Sequence, residues 1–119
     1  MGKRIHQHAK SNNCAVVPCF LGHGIGDFFH GPPDIYHSLN NYPGVMRPGM
    51  VFTIEPCISE GDRRVRTLED GWTAVTLVSL IRNLLIFFVI FYYLQDNSRT
   101  AQVEHTVVIT ERGAEILTE

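Results

Sequence analysis

The chain has 119 residues, of which 45% are hydrophobic and 18% are charged, a composition that argues against bulk disorder. Its 10 Lys and Arg against 12 Asp and Glu give a formal net charge of −2, so it lacks the basic footprint of a nucleic-acid-binding protein. The three cysteines cannot all pair internally, and no secretory signal opens the chain. We therefore expect a globular domain in a reducing, intracellular compartment.

The predicted elements run from one helix into several short strands. Residues 3–13 carry apolar side chains four positions apart on an otherwise polar segment, which predicts an amphipathic helix. Glycine and proline clusters mark loops and tight turns, at 32–33, 40–44, 47–49 and 61–64. Val-, Ile- and Thr-rich runs predict strands, at 50–56, 72–77, 103–110 and 114–117. One N-terminal helix followed by a mainly antiparallel sheet predicts an α+β fold.

Two glutamates interrupt the predicted strands. Period-two alternation places Glu55 with Thr53 on the strand face opposite to the apolar Phe52. Glu104 interrupts a later Val-rich strand in the same way. Because an isolated buried charge is too costly, each carboxylate must be solvated, paired or bound to a metal ion.

His23 is a third candidate metal ligand, and it lies between two glycines that indicate close approach of the backbone to another group. Neutral imidazole together with carboxylate oxygens suits Mn, Fe, Co or Zn better than Mg or Ca alone. Taken one at a time, these side chains also fit ordinary roles, such as a solvent-facing carboxylate or a packed histidine. The sequence assigns no role to His37.

Four motifs occur in order along the chain. They are Gly-His-Gly-Ile-Gly at 22–26 with Phe-His at 29–30, Pro-Gly-Met-Val-Phe-Thr-Ile-Glu-Pro at 48–56, Asp-Gly-Trp-Thr at 70–73 and Glu-His-Thr at 104–106. In this order they closely resemble the C-terminal half of type 1 methionine aminopeptidases, over the whole chain except 78–95. The resemblance implies a pita-bread fold, in which two pseudo-symmetric halves enclose a dinuclear metal site. The residues at 29–31 and 68–70 are similar to those of organellar members of the family.

The resemblance also implies roles for single residues. His23, Glu55 and Glu104 would be metal ligands for two divalent ions (Co, Mn, Fe or Zn), with Glu104 bridging the ions and Glu55 also acting as proton shuttle. The two Asp ligands and the upstream His of the family have no counterpart in this chain. Asp27 and Asp34 are poor substitutes, because they lie in loops close to His23 in the sequence. We therefore expect a fragment of the catalytic domain, or a gene product with a mispredicted start.

The resemblance further implies a substrate, which is a peptide or nascent protein with an N-terminal Met. His30 would hydrogen-bond the scissile carbonyl and steady the tetrahedral intermediate, and Phe29 and Trp72 would line the methionine pocket. The protein could associate with the ribosome, with no nucleic-acid partner, in the cytoplasm or the mitochondrion. Two alternatives stay open: a proline-specific aminopeptidase or dipeptidase of the same fold, and a catalytically inactive pita-bread binding module.

Residues 78–95 form an apolar insert whose longest uninterrupted apolar run, 84–94, covers 11 residues. A membrane-spanning helix needs about 20, so a membrane anchor here is a borderline alternative. With the insert, Glu55 and Glu104 are 49 positions apart, and without it they are 31 apart, as in the family. The insert begins Val-Ser and ends Gln, which splice-donor and splice-acceptor sequences would encode. We interpret it as a translated intron.

Overall fold

A computed structural model of the protein describes residues 1–77 and 96–118. The insert at 78–95, with its intron and membrane-anchor interpretations, lies outside the described residues. Helix α1 spans Gly2–Ser11 and is followed by short strands. Within the described ranges the strands are β1 Ala15–Val16, β2 Gly22–Gly24, β3 Gly31–Ile35, β4 Val51–Ile54, β5 Cys57–Ser59, β6 Val65–Thr67, β7 Ala74–Thr76, β8 Thr100–Gln102, β9 His105–Thr110 and β10 Gly113–Ile116.

Helix α1 is amphipathic, as predicted, and buries Gly2 and Ala9 on one face. Shortly after its last residue, Asn13 adopts a left-handed conformation with a φ of 57°, which ends helices because it turns the chain away from the helix axis. A β-carbon at Gly2 would overlap the carbonyl oxygen of Ser38, so the helix start packs directly against the chain that follows β3. Within the described ranges, no helix is both long and apolar enough to cross a membrane.

The strands form antiparallel sheets. The five-stranded sheet has the order β10-β9-β4-β2-β3, the three-stranded sheet has the order β1-β5-β8, and β6 pairs with β7 as a hairpin. The α+β prediction is confirmed. The loop predicted at 32–33 is wrong, because both prolines belong to β3. This strand is at the edge of the sheet, where a residue without an N–H group is tolerated.

Strand β4 pairs with β9, and β5 pairs with β8 in the same register. The strand pairing is interrupted between these two pairs. The residues at the interruption are 55–56 on one side and 103–104 on the other. Pro56 cannot donate a ladder hydrogen bond, which accounts for part of the break. The predicted strands 50–56 and 103–110 were therefore too long, since Glu55 and Glu104 lie just outside β4 and β9. The register sets these two glutamates opposite each other.

The hydrophobic core lies on one face of the five-stranded sheet. Phe52, Val107 and Ile109 are its buried members. Phe52 of β4 is paired with Val107 of β9, so the core is a set of cross-strand neighbours. Thr53 is on the opposite face and is completely buried. The predicted alternation of β4 is confirmed, and it leaves the polar face of the strand for the site described next.

Candidate metal centre

Two glycines allow His23 to lie between neighbouring strands. His23 is the middle residue of β2, which is held between β3 and β4. A β-carbon at Gly22 would overlap the carbonyl oxygen of Thr53, and one at Gly24 would overlap the carbonyl oxygen of Pro32. The close approach predicted for these glycines is confirmed, because β2 could not pair so tightly on either side with larger residues.

The imidazole of His23 presents one ring nitrogen to the site. Its Nδ1 lies 3.1 Å from the carbonyl oxygen of Gly24, which is a hydrogen-bond acceptor. Because a carbonyl oxygen can only accept, Nδ1 donates to Gly24, and in the neutral imidazole the lone pair is then on Nε2. That Nε2 lies 3.6 Å from Oε1 of Glu55. A backbone carbonyl that fixes the tautomer in this way is a common feature of metal-binding histidines.

The carboxylate of Glu55 is held by two side chains. The Thr53 hydroxyl donates to Oε1 at 2.8 Å, and Nε2 of Gln102 donates to Oε2 at 3.2 Å. The same Thr53 oxygen accepts the backbone N–H of His23 at 3.0 Å. Thr53 thus connects the strand that carries His23 to the carboxylate of Glu55.

The backbone N–H of Glu55 donates to Nε2 of His37 at 3.2 Å. His37 is only 1% exposed, and burial lowers its pKa below the ordinary value of a histidine, against smaller opposing effects of the Phe20 carbonyl and Glu55. His37 is therefore neutral near pH 7, which suits its role as acceptor from Glu55.

Glu104 completes a group that we call the ligand cluster, consisting of His23, Glu55 and Glu104. One ligand atom from each residue lies within 4.8 Å of the others. Two donors that share one ion at about 2.1 Å each lie about 3 to 4 Å apart, so the separation between His23 and Glu55 fits a common ion. One imidazole nitrogen and two carboxylates are the donor set that Mn, Fe, Co or Zn accept. Asp27 and Asp34 do not belong to this cluster.

The residues expected to contact substrate lie around and beyond the cluster. The ring of His30 meets the ring of His23 edge-on, with centroids 4.4 Å apart, and contacts Phe29 at 4.5 Å. His30 and Phe29 are both exposed. Trp72 is in the loop between β6 and β7 and is 90% exposed. The fold thus brings His30 and Phe29 to the ligand cluster, while Trp72 has no described ring contact.

Sequence reasoning missed three residues that form hydrogen bonds with residues of the ligand cluster: Thr53, Gln102 and His37. Thr53 and Gln102 carried a signal, because period-two alternation predicts that they share faces with Glu55 and Glu104. His37 carried none, since its partners are backbone atoms 17 and 18 positions away.

Comparison with known proteins gives the class first. Residues 1–111 match the profile of metallopeptidase family M24. The chain belongs to this family, and its cluster of one imidazole and two carboxylates agrees with the metal dependence that the family name states.

Within that class, the chain is similar to methionine aminopeptidases. It is 45% identical over 119 residues to methionine aminopeptidase 1 of Saccharomyces cerevisiae, covering 99% of this chain and 26% of the yeast protein. It is 45% identical over 118 residues to the human mitochondrial methionine aminopeptidase 1D, covering 99% and 30%. The crystal structure of methionine aminopeptidase from Thermotoga maritima superimposes with a TM-score of 0.79 at 40% identity, covering 99% of this chain and 41% of that one. The resemblance to type 1 enzymes and the pita-bread kinship are confirmed, and the chain spans well under half the length of these relatives.

Proposed function

We propose that this chain forms the C-terminal, ligand-bearing part of a methionine aminopeptidase, which hydrolyses the peptide bond after an N-terminal methionine. The observation that carries the proposal is the convergence of His23, Glu55 and Glu104 at one break in the β4–β9 ladder. The 45% identity to enzymes of that name supports this reaction over others of the family.

His23, Glu55 and Glu104 would hold two divalent ions, with Glu104 shared between them. Such ions, when bound, lower the pKa of water so that it can attack a peptide carbonyl at neutral pH. Glu55 would take up a proton from the attacking water and pass it to the leaving amine, a task that a carboxylate beside the reacting atoms can perform. The hydrogen bond from Thr53 orients Oε1 of Glu55 and leaves its second lone pair available.

His30 and the exposed aromatic residues would bind the substrate. The imidazole of His30 donates a hydrogen bond to the scissile carbonyl oxygen and stabilises the charge that develops there. Its edge-on contact with His23 supports this role, because it keeps the ring beside the ligand cluster. Phe29 and Trp72 would surround the methionine side chain, whose sulfur makes favourable contacts with aromatic rings.

Complete activity would require ligands from outside these residues. The resemblance implies two Asp ligands and a further His that this chain does not contain, and the relatives are two to four times longer than their matched segments. We therefore propose that the three ligands of this chain are one side of a site whose other side is supplied elsewhere.

A chimaera tests the reaction directly. The matched segment of the Thermotoga maritima enzyme would be replaced by this chain, with and without 78–95, and assayed with Mn²⁺ or Co²⁺. Release of methionine from a Met-Ala peptide supports the proposal, and a matched Glu55→Gln chimaera should be inactive. Cleavage of an Ala-Pro peptide instead would indicate the proline-specific alternative. Metal binding without cleavage of either peptide would indicate a binding module.

We also propose that 78–95 is a translated intron. The described residues on its two sides support this, because the N–H of Asp96 donates to the carbonyl oxygen of Thr76 at 3.4 Å and the Thr76 hydroxyl contacts the Asp96 carboxylate. Joining Leu77 to Asp96 would make that bond a three-residue turn. Sequencing of cDNA across 77–96 and a peptide map of the natural protein test the proposal, and a major form that retains the segment contradicts it.

The compartment and partners follow from the same proposal. We propose an intracellular protein of the cytoplasm or the mitochondrion, and the human relative is named as mitochondrial. Nascent chains are the expected substrates, with or without association with the ribosome. Nucleic acid is not an expected partner, and a membrane is expected only if the insert is retained. Fractionation of cells that express a tagged full chain tests the compartment.

A further inference from the structure

His37 is the only buried histidine among the six of the chain, all of which lie in the described residues. It follows β3 and is outside the ligand cluster. A buried imidazole requires partners for its polar atoms, because an unpaired polar group in the interior costs free energy. The identity of those partners indicates what this residue does.

Both ring nitrogens of His37 bind backbone groups of other segments. Nε2 accepts the N–H of Glu55, so the ring proton is on Nδ1. Nδ1 lies 3.4 Å from the carbonyl oxygen of Phe20 and donates to it. The imidazole therefore acts as a bridge with one donor and one acceptor, and its tautomer is set by the two backbone groups.

This bridge joins segments next to three neighbouring strands, on the side of the sheet where β2 begins and β3 and β4 end. Phe20 comes shortly before β2, His37 follows β3 and Glu55 follows β4, and these strands are adjacent in the order β4-β2-β3. Because β2 is antiparallel to both neighbours, its first residue lies beside the last residues of β3 and β4. His23 is the second residue of β2 and is therefore close to these strand ends as well.

Glu55 comes directly after the last residue of β4, and its N–H donates to the imidazole of His37. Without an acceptor this half-buried N–H would be unsatisfied. Thr53 and Gln102 donate to the carboxylate of Glu55, and Nε2 of Gln102 also donates to the Glu55 carbonyl oxygen at 3.0 Å. The backbone of Glu55 is thus held at its carbonyl oxygen by Gln102 and at its N–H by His37, and loss of the imidazole would free the N–H side.

We propose that His37 is a positioning residue of the metal centre, whose imidazole fixes the backbone of Glu55 against Phe20 so that the carboxylate meets His23 and Glu104. The inference rests on the proposed function only in taking these three residues as metal ligands. Partners of metal ligands typically change metal affinity by about 10- to 100-fold when they are replaced.

Two amide substitutions separate positioning from simple packing. In His37→Gln, the side-chain oxygen can accept the Glu55 N–H while the amide nitrogen donates to Phe20. In His37→Asn, the shorter side chain can still reach one partner but cannot span both. Both replacements are polar and smaller than histidine, so they disturb the packing in similar ways, and they differ in whether the bridge is restored.

The experiment is a Co²⁺ titration of the full 119-residue chain, followed by visible absorption of the bound ion, with thermal unfolding measured in parallel. His37→Asn should bind Co²⁺ at least about tenfold more weakly, and His37→Gln should bind close to the wild-type chain. His8→Gln on the exposed surface of α1 is the matched control and should change neither readout.

The outcomes are distinguishable. Equal Co²⁺ affinity of the Asn, Gln and wild-type chains would overturn the positioning role and leave the metal centre intact. An equal loss of affinity in both variants, accompanied by an equal loss of thermal stability, would assign His37 to packing alone. A wild-type chain that does not bind Co²⁺, or binds it equally well as Glu55→Gln, would overturn the proposed metal centre itself.

Discussion

Two residues of the ligand cluster, His23 and Glu55, differ from the aromatic residues expected to bind substrate in how much protein surrounds them, while Glu104 of the cluster is itself exposed. The side chains of His23 and Glu55 are each 15% exposed, whereas Phe29 and Trp72 are 73% and 90% exposed. His23 lies in β2, and Glu55 and Glu104 lie next to the ends of the paired strands β4 and β9. Their supporting hydrogen bonds join segments that are distant in sequence. The position of the ligands is thus a property of the sheet, and that of the aromatic residues is a property of single loops.

The loop that carries Trp72 is held by the side chain of Asp70 and by backbone hydrogen bonds from Leu68 to Thr73 and from Gly71 to Leu68. Oδ1 of Asp70 accepts the N–H groups of Trp72 and Thr73 at 2.9 and 2.8 Å, and Oδ2 accepts the Thr73 hydroxyl. This is an Asx-type turn, in which a carboxylate satisfies the backbone two and three residues on. The two regions should therefore respond independently to substitution, and the following experiments test that independence.

The largest effect is expected for Glu55→Gln. The substitution is nearly isosteric and keeps the contact with Thr53, but it replaces a carboxylate that we propose as a metal ligand by a neutral amide. Co²⁺ affinity should fall by at least about 10²-fold, and turnover by the chimaera should be lost. The thermal midpoint of the metal-free chain should stay near that of the wild type. Retention of more than about a tenth of the turnover would remove Glu55 from the mechanism.

The second effect concerns the connection between two ligands. Thr53→Val keeps the shape of the side chain and removes both the acceptor for the His23 N–H and the donor to Glu55. We expect a loss of about 1–3 kcal/mol in the free energy of unfolding and about tenfold weaker Co²⁺ binding. Thr53→Ser retains the hydroxyl and is the matched control. Denaturant unfolding and Co²⁺ titration measure both quantities, and equal values for Val and Ser would contradict the connection.

These effects show which parts of the site the sequence could predict. Alternation in β4 placed Glu55 and Thr53 on one face because the side-chain period of a strand is two. The pairing of Glu55 with Glu104 followed from the family resemblance alone, since local patterns do not reveal the register between distant strands. Strand β3 was missed because adjacent prolines ordinarily indicate a loop. The role of His37 depends on backbone atoms of Phe20 and Glu55. Every residue type carries these backbone atoms, so the sequence does not reveal such a contact.

A smaller effect is expected for acid on the Trp72 loop. Hydrogen bonds from the Thr73 hydroxyl and from the N–H groups of Trp72 and Thr73 lower the pKa of Asp70 below its ordinary value of 3.8. A depressed pKa means that the turn is fully stabilised above pH 3.8 and loses this contribution as pH falls through the lower, folded-state value. The fluorescence of Trp72, the only tryptophan of the chain, should change with a midpoint below 3.8. In Asp70→Asn this transition should be absent, and a midpoint at or above 3.8 would contradict the assignment.

The smallest effect on the scaffold is expected for Trp72→Ala. Because the indole is 90% exposed and the turn is held by Asp70, the free energy of unfolding should change by no more than about 0.5 kcal/mol. Co²⁺ affinity should be unchanged, since the strands that hold His23 and Glu55 do not include this loop. In the chimaera, however, Trp72→Ala should raise the KM for a Met-Ala peptide more than it lowers kcat, because the ring would contact the methionine side chain and not the reacting atoms. Trp72→Phe retains an aromatic ring and should recover part of the KM. A change in Co²⁺ affinity that matches the change in KM would show that the loop and the ligand cluster are coupled, and would break the separation between the two regions.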